Sequence, residues 1–143
     1  MNNQIEIYKT PDGNTEIEVQ FDKDTVWLNQ NQITELFLRD RTVITKHIIN
    51  IFNEGELDKK NNVHFLHIAN SDKPVAFYNL DVIISVGYRI KSKRGTQFRQ
   101  WATTRLRDYL VQGYAINQKR IEERNLELQH LKTGIAILRR AMV

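Results

Sequence analysis

Arg41, Thr42, Thr45, Lys46 and Asn50 lie in a segment whose isoleucines Ile44, Ile48 and Ile51 recur every three or four residues. That period predicts a helix with the isoleucines inside and the polar residues, with Ile49, on the opposite face. Hydroxyls, a carboxamide and cations can hydrogen-bond phosphates and base edges, and an apolar neighbour can meet a thymine methyl. Arg39 stands just ahead of them in the sequence. The same pattern also describes two short amphipathic helices that merely pack together.

A second group is basic throughout. From Val82 to Arg107 there is no acid, while Arg89, Lys91, Lys93, Arg94, Arg99, Arg105 and Arg107 all fall there. A one-signed stretch attracts polyanions by its summed field and by releasing condensed counterions. Within it Gly95 is expected to let the backbone approach a phosphate. Phe98 and Trp101, three apart, are expected to pack in a core and not to stack on bases.

Catalytic and metal-binding constellations are absent from the reading. His64 and His67 fall in a segment read as a strand, where their spacing would point them to opposite faces. Glu54 and Glu56 sit in an expected turn, and Glu122 and Glu123 on a polar helix face. With no cysteine there is no thiolate ligand and no disulfide. No glycine-rich phosphate loop occurs. The expectation is therefore a binding protein without catalytic residues, metal or cofactor.

These groups need elements to hold them. Ile5 and Ile7, the turn Pro11-Asp12-Gly13-Asn14, then Ile17, Val19 and Phe21 predict an N-terminal β-hairpin, followed by a short strand Thr25–Leu28. Asn29 is expected to cap a helix to about Leu38 burying Ile33, Leu36 and Phe37. The turn Leu38-Arg39-Asp40-Arg41 leads, with Asp40 or Thr42 as cap, into a second helix to about Phe52 burying Ile44, Ile48, Ile51 and Phe52. Val63–Ala69 and Val75–Tyr78 read as strands about the turn Asn70–Pro74, and the pair as a candidate β-wing. A third helix is expected over Leu80–Tyr88, a basic loop over Arg89–Gly95, and a fourth helix over Thr96–Val111 burying Phe98, Trp101, Ala102, Leu106, Tyr109 and Leu110. Gly113 is read as a break before a last helix from about Asn117.

That last helix repeats every seven residues through Ile121, Leu128, Ile135 and Met142, with Leu131 and Leu138 between them. Arg124 and Gly134 interrupt the pattern. It fits a coiled coil or partner-binding helix, and equally a helix docked on its own domain. The pattern is still running at Val143, and the chain is read as the N-terminal part of a longer protein.

The fold class expected is α+β: an N-terminal hairpin, a helix-turn-helix with a β-wing, two further helices and a long C-terminal helix. A domain over 1–114 would hold the helix-turn-helix (about 29–53) and the basic segment (about 80–112), with 115–143 as a dimerisation or linker helix. The 143 residues are 41% hydrophobic, enough for one core, and carry net charge +4. Up to Gln30 six acids face two lysines, a net of −4, which leaves +8 for the remainder. No apolar run approaches the roughly 20 residues of a membrane span, and the first ten residues lack the pattern of a secretion signal. A cytoplasmic setting follows as expectation.

Three stretches carry a resemblance. They are Val26-Trp27-Leu28, Phe52-Asn53-Glu54-Gly55-Glu56-Leu57 and, above all, Tyr78-Asn79-Leu80-Asp81-Val82-Ile83-Ile84-Ser85-Val86-Gly87-Tyr88-Arg89 running on into Ser92-Lys93-Arg94-Gly95-Thr96-Gln97-Phe98-Arg99-Gln100-Trp101-Ala102. From the first hairpin to about Tyr114 the chain resembles the RhuM family of virulence-associated, restriction-modification-linked bacterial DNA-binding proteins. Gln97–Trp101 is more weakly similar to Bro-N type DNA-binding domains. The turn Leu38–Arg41 departs from many helix-turn-helix units in lacking a glycine. The resemblance implies DNA binding; the full reading expected is a double-stranded DNA binder, a regulator or targeting module, acting as a homodimer through the C-terminal helix or the globular domain. Arg39, Arg41, Thr42, Thr45, Lys46 and Asn50 would face bases and phosphates, and Arg89, Lys91, Lys93, Arg94 and Arg99 would grip flanking phosphates. The alternative is a protein-interaction module whose basic loop binds an acidic partner.

Overall fold

A computed structural model describes residues 4–69 and 72–141. Asn70 and Ser71 of the expected turn, and Met142 of the heptad pattern, lie outside the described residues. The chain divides into two units, with the boundary between Leu106 and Arg107.

The first unit is built on five antiparallel strands: β1 (Gln4–Lys9), β2 (Glu16–Asp22), β3 (Thr25–Asn29), β4 (Val63–Leu66) and β5 (Val75–Asn79), in the order β1-β2-β3-β5-β4. The pair expected as a wing is thus no free-standing hairpin, because β5 is hydrogen-bonded to β3 as well as to β4. Turn chemistry sets the first hairpin: Gly13 takes φ +75°, and the Thr10 hydroxyl donates to Asp12 Oδ1 at 2.5 Å. Register then fixes the faces. Tyr8 pairs with Ile17 and Phe21 with Val26, so these four share one buried face. Ile5 and Ile7, whose alternation announces the first strand, are about half exposed, at 54% and 51%. The reason is register: Tyr8 takes the inward place, its ring 5.1 Å from Phe98 and 4.9 Å from Trp101. Trp27 lies on the other side of the sheet, stacked on His64 at 4.0 Å.

Helices α1 (Gln30–Phe37) and α2 (Arg41–Asn53) follow β3. Asn29 caps α1 as expected: its side chain accepts from the Gln32 amide at 2.9 Å, and the Gln32 side chain accepts from the Asn29 amide at 2.8 Å. Ile33, Leu36 and Phe37 are buried, as are Ile44, Ile48 and Ile51 of α2, whereas Phe52 is only half-buried. The turn has no glycine because Leu38 itself adopts the left-handed conformation, at φ 51° and ψ 48°, with its side chain 61% exposed. A one-turn helix α3 (Lys59–Asn62), capped by Asp58, was not expected.

Helix α4 (Leu80–Arg89) is capped by Asn79, whose side chain accepts from the Val82 amide at 3.3 Å and donates to Asn62 Oδ1 at 2.9 Å. A buried carboxamide must be paired, and these bonds do it. The basic loop is shorter than expected, since α5 begins at Lys93 and runs unbroken to Ala141. The two helices expected around Gly113 are therefore one. Glycine in a helix interior costs only about 1 kcal/mol relative to alanine, so it weakens a helix without having to end it. In α5 Phe98, Ala102 and Leu106 are buried, Trp101 and Tyr109 are half-buried, and Leu110 is exposed against expectation. Leu110 falls in the second unit, where helix residues 107–141 carry exposed apolar side chains.

Gly87 and Gly95 explain how α4 and α5 meet. A methyl at Gly95 would stand 3.1 Å from Phe37 Cε1 and 3.3 Å from the Gly87 Cα, tighter than ordinary contact. Gly95 is buried in this contact, where it serves helix packing, and it also lines a cavity with Lys91, Lys93 and Arg99. Gly113, by contrast, has nothing within 4 Å. The same substitution at the two sites should act oppositely. Gly95→Ala should lower stability by about 1–3 kcal/mol through overpacking, and Gly113→Ala should raise helix stability by about 1 kcal/mol. Urea unfolding followed by circular dichroism reads both; equal effects would contradict the contact.

Candidate nucleic-acid interface

Arg41, Thr42, Thr45, Lys46, Ile49 and Asn50 line one open concavity on α2. The structure thus brings together five of the six residues expected on that helix face and its turn; Arg39 is exposed in the turn ahead of it. The face is anchored from α1. Arg41 Nη1 donates to Asn31 Oδ1 at 3.1 Å, Gln30 Nε2 bonds Thr45 Oγ1, and the Thr45 hydroxyl donates to the Arg41 carbonyl at 2.8 Å. Gln30 and Asn31 were not singled out from sequence. Their only signal is that they stand off the Ile33–Leu36–Phe37 stripe. Lys46 makes no ion pair among the described residues, so its ammonium is available to a ligand.

The start of α2 differs from that of its neighbours. Asn29, Asp58 and Asn79 each accept a hydrogen bond from the helix they precede, while Asp40 stands at the N-cap of α2 without a side-chain cap bond. The expected cap by Asp40 is therefore only positional. Uncapped amides in a first helical turn carry partial positive charge and favour an anion.

The basic segment divides in two. Lys91, Lys93 and Arg99 line a cavity of about 260 Å³ with Ile84, Tyr88 and Thr96. Tyr88 is 79% exposed and was not among the residues assigned from sequence. Its signal is weak: it falls one turn after Ile84 on a helix that buries Val82, Ile83 and Val86. Arg89 and Arg94 are engaged within the protein. Arg89 Nη2 meets Glu54 Oε2 at 2.6 Å and Glu56 Oε1 at 3.2 Å, joining α4 to the end of α2. Arg94 donates through Nε to the Leu36 carbonyl, the last turn of α1, and lies 3.6 Å from Asp12. Glu54 and Glu56, read as solvated, are the partners of Arg89.

Electrostatics agree with this division. Glu56 is held below the usual carboxylate range by a Ser85 hydrogen bond and then by Arg89. The Asp12 carboxyl is lowered first by the Thr10 hydroxyl. His47 is pushed below its usual range by burial, then by Arg89 and Lys46. Among the described residues no group of three or more His, Asp or Glu side chains could hold a metal, and no helix is long and apolar enough to cross a membrane.

Arg94 and its neighbour Lys93 should therefore separate cleanly. Arg94→Ala removes a charge-assisted bond to a backbone carbonyl, and the loss of stability should be about 1.5–3 kcal/mol. Lys93→Ala should stay within about 0.5 kcal/mol of the parent. Thermal unfolding of both variants checks this, and a stable Arg94→Ala protein would contradict the assignment.

Comparison with known proteins gives one family match. The description "Virulence protein RhuM family" fits residues 56–140. That span opens after α2 and contains α4, the cavity of Lys91, Lys93 and Arg99, and nearly all of α5. No curated protein and no solved structure matches the chain.

Proposed function

We propose, from a chain that belongs to the virulence protein RhuM family, that this protein binds double-stranded DNA and does no chemistry on it. The observation that carries the reading is the single concavity shared by Arg41, Thr42, Thr45, Lys46, Ile49 and Asn50. In this reading α1 and α2 form a helix-turn-helix with α2 in the major groove, its N-terminal end toward the bases. The uncapped first turn of α2 takes a phosphate, with Arg41 and Thr42 beside it. Asn50 and Lys46 reach base edges, and Ile49 supplies an apolar contact.

The rest of the interface is backbone contact. Lys91, Lys93 and Arg99 hold phosphates, and Arg39 reaches another from the turn. Arg89 and Arg94 are left out, because moving either to DNA would break its internal bonds. The β4–β5 pair, although continuous with the sheet through β3, serves as the wing, with Lys59 and Lys60 of α3 just ahead of it. The biological role is that of a regulator or the targeting module of a longer protein.

Fluorescence anisotropy with a random duplex at two salt concentrations tests the reading. Binding should weaken as salt rises, and Lys46→Ala should lower affinity. Lys93→Ala should reduce the magnitude of the log–log salt slope by about 1. The duplex should be recovered intact after incubation with magnesium. Absence of binding at low salt would reject the reading in favour of a module that engages an acidic protein, and unchanged affinity in both variants would reject the residue assignment.

A further inference from the structure

The second unit carries a surface that the DNA reading does not use. Within helix α5 the side chains of Leu110, Tyr114, Ile121, Leu128, Leu131, Ile135 and Leu138 are all exposed, between 44% and 66%. Written as heptads, Tyr114, Ile121, Leu128 and Ile135 occupy the a positions, and Leu110, Leu131 and Leu138 occupy d. Side chains so spaced form one stripe along a helix. A single helix in water gains little from its own hydrogen bonds and draws most of its stability from covering such a stripe.

We infer that the occupant is a second copy of this chain, aligned parallel in a two-stranded coiled coil. Three features of the sequence on this helix select that partner. Isoleucine at a (Ile121, Ile135) with leucine at d (Leu131, Leu138) favours two parallel strands. Glu127 falls at g and Lys132 at the following e, the positions that face each other across a parallel pair, so opposite charges meet twice in a symmetric dimer. The opposite side is mostly polar, with Lys119 at f, Glu122 and Gln129 at b and Glu123 at c, although Ile116 and Ile137 also fall at c. Leu126 lies at f, off the seam, although it is as exposed as Leu128 (55% against 54%).

Arg124 occupies a d position and Asn117 another. In a parallel dimer each meets its own copy, so Arg124 sets like charges together and weakens the seam. This makes the inference sharper, because relieving that repulsion should tighten the dimer. The inference stands independently of DNA binding and is tested without DNA.

Sedimentation equilibrium of the full chain across a concentration series should give twice the 16.9 kDa monomer mass at the upper end. Leu128→Asp should raise the dissociation constant by about tenfold or more, Leu126→Asp should leave it unchanged, and Arg124→Leu should lower it by about tenfold. The chain has no cysteine, so Leu138→Cys reports alignment directly. Under mild oxidation it should become a disulfide-linked dimer, because only the parallel arrangement sets residue 138 against itself. A monomer at every concentration, a dimer indifferent to Leu128→Asp, or a Leu138→Cys dimer that resists cross-linking would each overturn the inference.

Discussion

The tightest constraint on how the helices pack is the place where Gly87, Gly95 and Phe37 meet. Neither glycine can carry a side chain without pressing on the Phe37 ring or the opposing backbone. Because both lack one, α4 and α5 come close enough for the last residue of α1 to close over them. That contact lies at the last residue of the first helix, just before the left-handed Leu38 that opens the turn into α2. It also brings Arg94 within reach of the Leu36 carbonyl, so a cation reinforces what packing has already placed. Substituting the ring or either glycine would therefore disturb three helices at once.

This arrangement sorts the positive charge. Arg89 and Arg94 stand closest to the packed helices and are held by Glu54, Glu56, Asp12 and a main-chain oxygen. Lys91, Lys93 and Arg99 stand around the rim of a cavity at the same junction, and Lys46 on the face of α2. Cations that are spent inside hold the scaffold, and cations left outside are free to meet a polyanion. Long side chains such as these also pack by their stems, so losing an inner arginine removes contact as well as charge.

The sequence made some of this readable and hid the rest for physical reasons. Ile33, Leu36 and Phe37, then Ile44, Ile48 and Ile51, declare their helices because burial imposes a period on apolar residues. Asn29 declares a cap because the bond it makes is local. Continuity of α5 was hidden by Gly113, whose cost is too small to stop a long helix. The inward turn of Arg89 and Arg94 was hidden because their hydrogen-bond partners lie 33 to 58 residues away and Asp12 farther still. Charge alone does not tell a phosphate-seeking arginine from one already paired. Ile5 and Ile7 show a related limit: their alternation announces the strand, and only the register with β2 shows that Tyr8 holds its buried face.

The most direct test of the DNA reading maps the contact residue by residue. Amide chemical shifts of the isotopically labelled chain would be followed as a short random duplex is added at low salt. The account predicts that the amides of Arg41 to Asn50 and of Tyr88 to Arg99 move together, while those of β1 stay in place. Shifts confined to β1 or to the helix beyond Leu110, or none at all, would contradict it.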